Sequence, residues 1–118
     1  MKGALPVREN LEAWTKIRGS QSNHVNGALS AFGITHLADT PAQYLSAGQH
    51  RRTALARLIA SPAELWLLDE PTVSLDVDGI TRLQNVIADH RAARGMVIAA
   101  THSELGLPET DILQLKPQ

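Results

Sequence analysis

Apolar residues recur along this chain in two rhythms. In the first half they fall three and four positions apart, the helical spacing. Val7, Leu11, Trp14 and Ile17 make one such stripe, so residues 6–18 are predicted as a helix. Pro6 suits its first turn, and Gly19 its end. Val25, Leu29 and Phe32 repeat the spacing, with Gly33 as the residue that leaves the helix. The polar stretch 19–23 links the two, and Asp39-Thr40-Pro41 marks a turn. Residues 46–60 form a third helix. Ser46 caps it and Gln49 stands three residues on, the S-x-x-Q capping box. Leu55, Leu58 and Ile59 are its expected buried stripe, and Ser61-Pro62 stops it.

In the second half the rhythm changes. Residues 65–68, Leu-Trp-Leu-Leu, are short and wholly apolar, as are residues 96–100. Both are predicted as buried strands. Residues 76–94 between them read as a helix, with Ile80, Leu83 and Ile87 on one face and Gly95 as the stop. Residues 112–115 give a short third strand. Strand, helix, strand is a crossover unit with parallel strands, right-handed in nearly all proteins. Parallel strands end on the same sheet edge, where open α/β sheets bind ligands. Asp69 and Glu70 leave one such end, and Thr101 and His102 the other. The fold class is α/β, and these two acids and the histidine are predicted to converge.

Composition narrows the classes of function. At 118 residues the chain has room for one modest domain, and 43% hydrophobic content is ordinary for a globular one. Aromatics make up only 3%, so Leu, Ile, Val and Ala must build the core. A net charge of −1 argues against nucleic acid as an electrostatic partner. With no cysteine, disulfides, thiolate metal sites and cysteine nucleophiles are excluded. The apolar runs are too short to span a bilayer. The N-terminus, MKGALPVREN, lacks the unbroken apolar stretch of a signal peptide. A cytosolic location is the expectation, compatible with contact to a membrane protein.

Candidate chemistry gathers at three places. The first is Asp69-Glu70, where one acid can hold Mg²⁺ and its neighbour can polarise a water. Alone, such a pair is more often a solvated strand end, but Pro71-Thr72 and Ser74-Leu75-Asp76 make the pattern specific. The second is Leu45-Ser46-Ala47-Gly48-Gln49, a capped helix start with unpaired N–H groups and small residues, suited to a phosphate. His50-Arg51-Arg52 adds positive charge there, or is simply a solvated helix face. The third is His102. The other histidines, 24, 36, 50 and 90, show no metal-ligand spacing and read as surface or satisfied core residues.

Taken in order, LSAGQ, LWLLDEP, SLD and TH resemble the ATP-binding subunit of ABC transporters. LSAGQ is similar to the signature LSGGQ, with Ala47 in place of a glycine. LWLLDE is similar to the Walker B strand, SLD to the D-loop, and His102 to the switch histidine. The resemblance covers nearly the whole chain. ENLEAW, LSAGQHRR, PAELWLLDEPTVSLD and ATHSELGLP further resemble the ATP-binding subunits of the haem exporters of cytochrome c biogenesis.

The resemblance implies a partial P-loop NTPase core with parallel strands, residues 61–118, joined to an α-helical signature subdomain, residues 1–60. It implies ATP and Mg²⁺ as cofactors. Asp69 would organise Mg²⁺, through water, and Glu70 would activate the hydrolytic water. His102 would contact the γ-phosphate. Ser46, Ala47, Gly48 and Gln49 would bind the γ-phosphate of an ATP held mainly by a second ABC ATPase subunit in a head-to-tail dimer. Asp76 would lie at that interface. The other implied partners are integral membrane transporter subunits, placing the protein on the cytoplasmic face of the inner membrane. One departure stands out. The phosphate loop GxxxxGK[ST] needs a lysine after a glycine, and neither Lys2, Lys16 nor Lys116 follows one. The chain therefore looks like the second half of an ATPase domain, expected to be inactive alone. Two other readings stay open: a non-hydrolytic module that pairs in trans with an intact subunit, and an ABC-type ATPase acting on nucleic acid, which the neutral charge disfavours.

Overall fold

A computed structural model describes residues 1–19 and 24–101. Helices α1 (Val7–Ile17), α2 (Val25–Ala31) and α3 (Ala47–Ala60) precede strand β1 (Leu65–Asp69), helix α4 (Val77–Ala92) and strand β2 (Met96–Ala100). Two short 3-10 turns, Thr35–Leu37 and Ala42–Tyr44, join α2 to α3. The predicted third strand at 112–115 lies outside the described residues. No described helix is long and apolar enough to cross a membrane.

Helix α1 begins one residue later than expected, with Pro6 as its N-cap rather than in its first turn. Pro6 has no side-chain cap to offer, so the loop supplies acceptors. The Val7 and Arg8 amides donate to the carbonyls of Thr40 and Ala38. Buried Asn10 ties down the N-terminus, donating to the Lys2 and Leu5 carbonyls and accepting from the Lys2 amide. The apolar stripe of α1 is shorter than predicted. Val7 and Leu11 are buried, but Ile17 in the last turn is 79% exposed.

Helix α2 ends as its sequence requires. Gly33 takes φ +68, a backbone that side chains resist, and the Arg82 guanidinium would lie 2.7 Å from any Cβ there. Helix α3 packs against both α1 and α2. Its capping box forms in both directions: the Ser46 hydroxyl accepts from the Gln49 amide, and the Gln49 side chain accepts from the Ser46 amide. Leu55, Ala56 and Ala60 are its buried apolar residues, whereas Leu58 and Ile59 pack at the core's edge.

Strands β1 and β2 pair in parallel, Leu65 beside Met96 through Asp69 beside Ala100. The crossover topology is therefore as expected, but full burial is not. Trp66 and Leu68 turn into the core, while the alternate face is open, with Leu67 69% and Ile98 61% exposed. An unbroken apolar run cannot show which of its two faces a partner covers. Helix α4 returns the chain between the strands and buries Leu83, Val86 and Ile87. Its stop also differs. Arg94, not Gly95, takes the left-handed position at φ +67. Gly95 is instead required by proximity, because a Cβ would sit 2.2 Å from the His90 ring.

His90 is a satisfied residue of unusual reach. Its ring stacks on Trp66 at 3.6 Å and 7°. Its Nε2 lies 2.9 Å from the Glu64 carbonyl and 3.3 Å from the Met96 carbonyl, so Nε2 carries the proton. One imidazole thus ties the end of α4 to the starts of both strands. The buried cluster runs from Val7 and Leu11 through Phe32, Leu55 and Trp66 to Leu83 and Ile87, joining all four helices to β1.

Candidate functional site

The C-terminal end of the sheet and the N-terminal end of α3 meet. Asp69 ends β1, beside Ala100 of β2. The Glu70 amide donates to the Ala100 carbonyl at 2.7 Å, so the first acid-bearing turn is fastened to the second strand. Glu70 then adopts φ +44, a region that costs a residue with a side chain roughly 1–2 kcal/mol. Its carbonyl accepts from the Val73 amide at 3.2 Å, closing a turn over buried Pro71. Ser74 is also left-handed, at φ +66. The two departures fold residues 70–76 back toward α3.

The arginines after the signature meet this segment. One terminal nitrogen of Arg51 donates to the Asp69 carbonyl at 3.0 Å and to the Glu70 carbonyl at 2.6 Å. Arg52 donates to the Asp76 carboxylate at 2.7 Å, the Asp78 carboxylate at 3.0 Å and the Phe32 carbonyl at 3.0 Å. These residues are not a solvated face, as their charge alone had allowed. Asp76 also caps α4, accepting from the Gly79 amide. Its carboxyl is held below the usual 3.8, first by the Arg52 hydrogen bond and then by the Gly79 N–H. Asp78 is lowered likewise, first by Arg82 and then by Arg52.

A cleft of about 350 Å³ lies where the two ends meet, lined by Ser46, Gly48, Gln49, Arg52, Ser74 and Asp76. Gly48 faces the Ser74 carbonyl, and a Cβ would stand 3.0 Å from it. Ala47 is exposed, so a methyl group there meets no such obstacle. A side chain is thus accommodated at position 47 and would crowd the Ser74 carbonyl at position 48. The first amides of α3 have no intrahelical partner and carry the positive end of its dipole. The Gln49 amide already serves the capping box. An anionic group therefore suits the cleft mouth.

The structure brings Ser46, Gly48, Gln49 and Asp76 to one cleft and sets Asp69 and Glu70 at the sheet end, with Arg51 joining the two places. His102 lies outside the described residues. It follows Thr101, which leaves β2 beside the Asp69 end of β1. Among the described residues no group of three His, Asp or Glu side chains converges as a metal site. Asp69 alone suits Mg²⁺, which commonly takes one or two carboxylates and completes its octahedron with water and phosphate oxygens. Arg51 and Arg52, read in the sequence as added positive charge or a solvated face, instead bind the segment that follows β1. Their signal was position, immediately after LSAGQ, but their partners lie 18 to 26 residues away.

Comparison with known proteins bears on the same segments. The ABC transporter family model matches residues 1–73, which include LSAGQ and LWLLDEP. The cytochrome c biogenesis ATP-binding export protein of Rhodospirillum rubrum is 51% identical over 98% of this chain and 49% of its own length. That of Paramagnetospirillum magneticum is 47% identical over 98% of this chain and 55% of its own length. The chain spans about half the length of the curated relatives it matches. Among solved structures, the ADP conformation of MJ1267, an ATP-binding cassette of an ABC transporter, superposes with a TM-score of 0.64. It covers 88% of this chain and 48% of its own at 19% identity, a likeness of fold. With its signature helix docked on the Asp69–Asp76 segment, this chain belongs to the ABC transporter family, in the fold of its ATP-binding cassettes.

Proposed function

We propose that this chain is the hydrolytic half of an ATP-binding cassette that powers export in cytochrome c biogenesis, with haem as the cargo. The observation that carries the reading is the docking of the LSAGQ helix on the Asp69–Asp76 segment through Arg51 and Arg52. The division into a signature subdomain, residues 1–60, and a core portion, residues 61–118, belongs to the same proposal, as does a site on the cytoplasmic face of the inner membrane.

Each residue acts by position or charge, as phosphoryl transfer requires. Asp69 would be the residue that holds Mg²⁺. Bound Mg²⁺ supplies charge neutralisation at the phosphate oxygens. Glu70 orients the attacking water and takes its proton. His102 contacts the γ-phosphate. Ser46, Ala47, Gly48 and Gln49 offer the α3 amides and a hydroxyl to the γ-phosphate of an ATP bound chiefly by a second subunit. Asp76, bridged to Arg52, links that contact to the hydrolytic turn.

The test joins this chain to the N-terminal half of the Rhodospirillum rubrum relative, which restores a cassette of full length. Glu70→Gln is expected to retain nucleotide binding and lower turnover about 10²-fold or more. Unchanged turnover would remove Glu70 from its role. The 118-residue chain alone is expected to show no turnover, because it contains no GxxxxGK[ST] sequence. Haem export is tested by whether the joined cassette restores cytochrome c maturation in a strain lacking the relative. An active ATPase that fails there would remove the export assignment and leave the enzyme.

A further inference from the structure

Two consecutive carbonyls, those of Asp69 and Glu70, converge on one nitrogen of Arg51 at 3.0 and 2.6 Å. In an extended strand successive carbonyls point to opposite sides, so one donor cannot serve both. They converge here because Glu70 is left-handed, at φ +44. The pair of hydrogen bonds is therefore specific to the turned backbone. Arg51 is committed to it: its Nε is buried with no hydrogen-bond partner among the described residues. Arg52, one position on, differs in kind. Besides the Phe32 carbonyl it binds two exposed carboxylates, contacts that salt and side-chain motion loosen.

The backbone of the turn is held from several directions. β2 takes the Glu70 amide through Ala100, Val73 donates to the Glu70 carbonyl, and α3 reaches both carbonyls through Arg51. Only the last link comes from the helix whose N-terminus lines the cleft. We infer that Arg51 is a positioning residue for Glu70. Its guanidinium holds the Asp69–Glu70 backbone in the left-handed turn and so fixes where the Glu70 carboxylate stands. The inference rests on the proposed role of Glu70 in orienting water. Arg51 acts through the turned backbone, to whose carbonyls it donates.

The 118-residue chain tests the turn directly. Arg51→Met keeps the length of the side chain and removes its donors. Hydrogen exchange at the Val73 amide is expected to quicken about tenfold, while amides in the middle of α3 keep their protection. Arg51→Lys, which can still donate to two carbonyls, is expected to restore most of that protection. Unchanged exchange at Val73 would overturn the inference. In the joined cassette, Arg51→Met is expected to lower kcat about ten- to a hundredfold with KM for ATP nearly unchanged. Added to Glu70→Gln, it is expected to lower kcat no further, because it acts through that residue. A further fall in the Glu70→Gln background, or a raised KM with kcat retained, would overturn it. If Glu70→Gln abolishes turnover and Arg51→Met leaves it intact, the inference alone falls. If Glu70→Gln turns over normally, the role of Glu70 falls and the inference with it. Should Arg51→Met fail to fold, Arg51→Gln, too short to reach the turn, gives the same readings.

Discussion

Ser46 shows how a single side chain joins stability to a candidate site. Its hydroxyl accepts from the Gln49 amide and closes the capping box of α3. Ser46→Ala is expected to lower the unfolding free energy by about 1 kcal/mol, the usual worth of such a cap, measured by urea titration. The Asp76–Arg52 pair adds a pH dependence. Asp76 and Asp78 titrate below the usual carboxylate value in the folded chain. Their contribution is therefore complete above the unfolded value and lost as acid carries the pH down through the folded one. Below about pH 4 the thermal midpoint of the wild type should fall more steeply than that of Asp76→Asn, which keeps the helix cap without the charge. Equal slopes would mean that Arg52 gains nothing from Asp76. The capping box was legible because all its partners lie within four residues. The arginines were not, since a charge in a sequence does not name a carbonyl on another element.

At the level of elements, the helices were readable to within a residue or two, because caps and apolar spacing are local. Pro6 and Gly95 were assigned plausible places for incomplete reasons. What terminates α4 is Arg94 in the left-handed position, and what demands glycine next to it is the imidazole lying across it. Gly95→Ala should displace His90 from Trp66 and cost about 1–3 kcal/mol by overpacking. The same change in a His90→Ala background should cost far less, and a calorimetric comparison of the four chains checks it. An equal cost in both backgrounds would place the strain elsewhere. The strands were legible as strands but not in their facing. Leu65-Trp66-Leu67-Leu68 is apolar on both sides, and only the packing of Trp66 and Leu68 against the helices shows which side is the core.

Across the whole molecule, one buried cluster spans the proposed boundary between residues 60 and 61, with Leu55 and Ala56 on one side and Trp66 and Leu83 on the other. The opposite face of the sheet carries Leu65, Leu67, Met96 and Ile98 in adjacent register positions, all exposed. An apolar patch of that kind favours association. The 118-residue chain should show a concentration-dependent mass by sedimentation, and Leu67→Lys with Ile98→Lys should abolish it. A monomer at all concentrations would show that the face is harmless. The sequence predicted both strands as buried, and their unbroken apolar runs marked no open face. Which residues form it could be read only from the register. The stack of Trp66 on His90 has a practical consequence as well. The chain's two tryptophans sit in opposite surroundings: Trp66 is buried against an imidazole, and Trp14 is partly exposed with Arg18 and Arg57 over its ring. Their emission colours and quenching should therefore differ, giving the unlabelled chain an optical reporter on each side of its core.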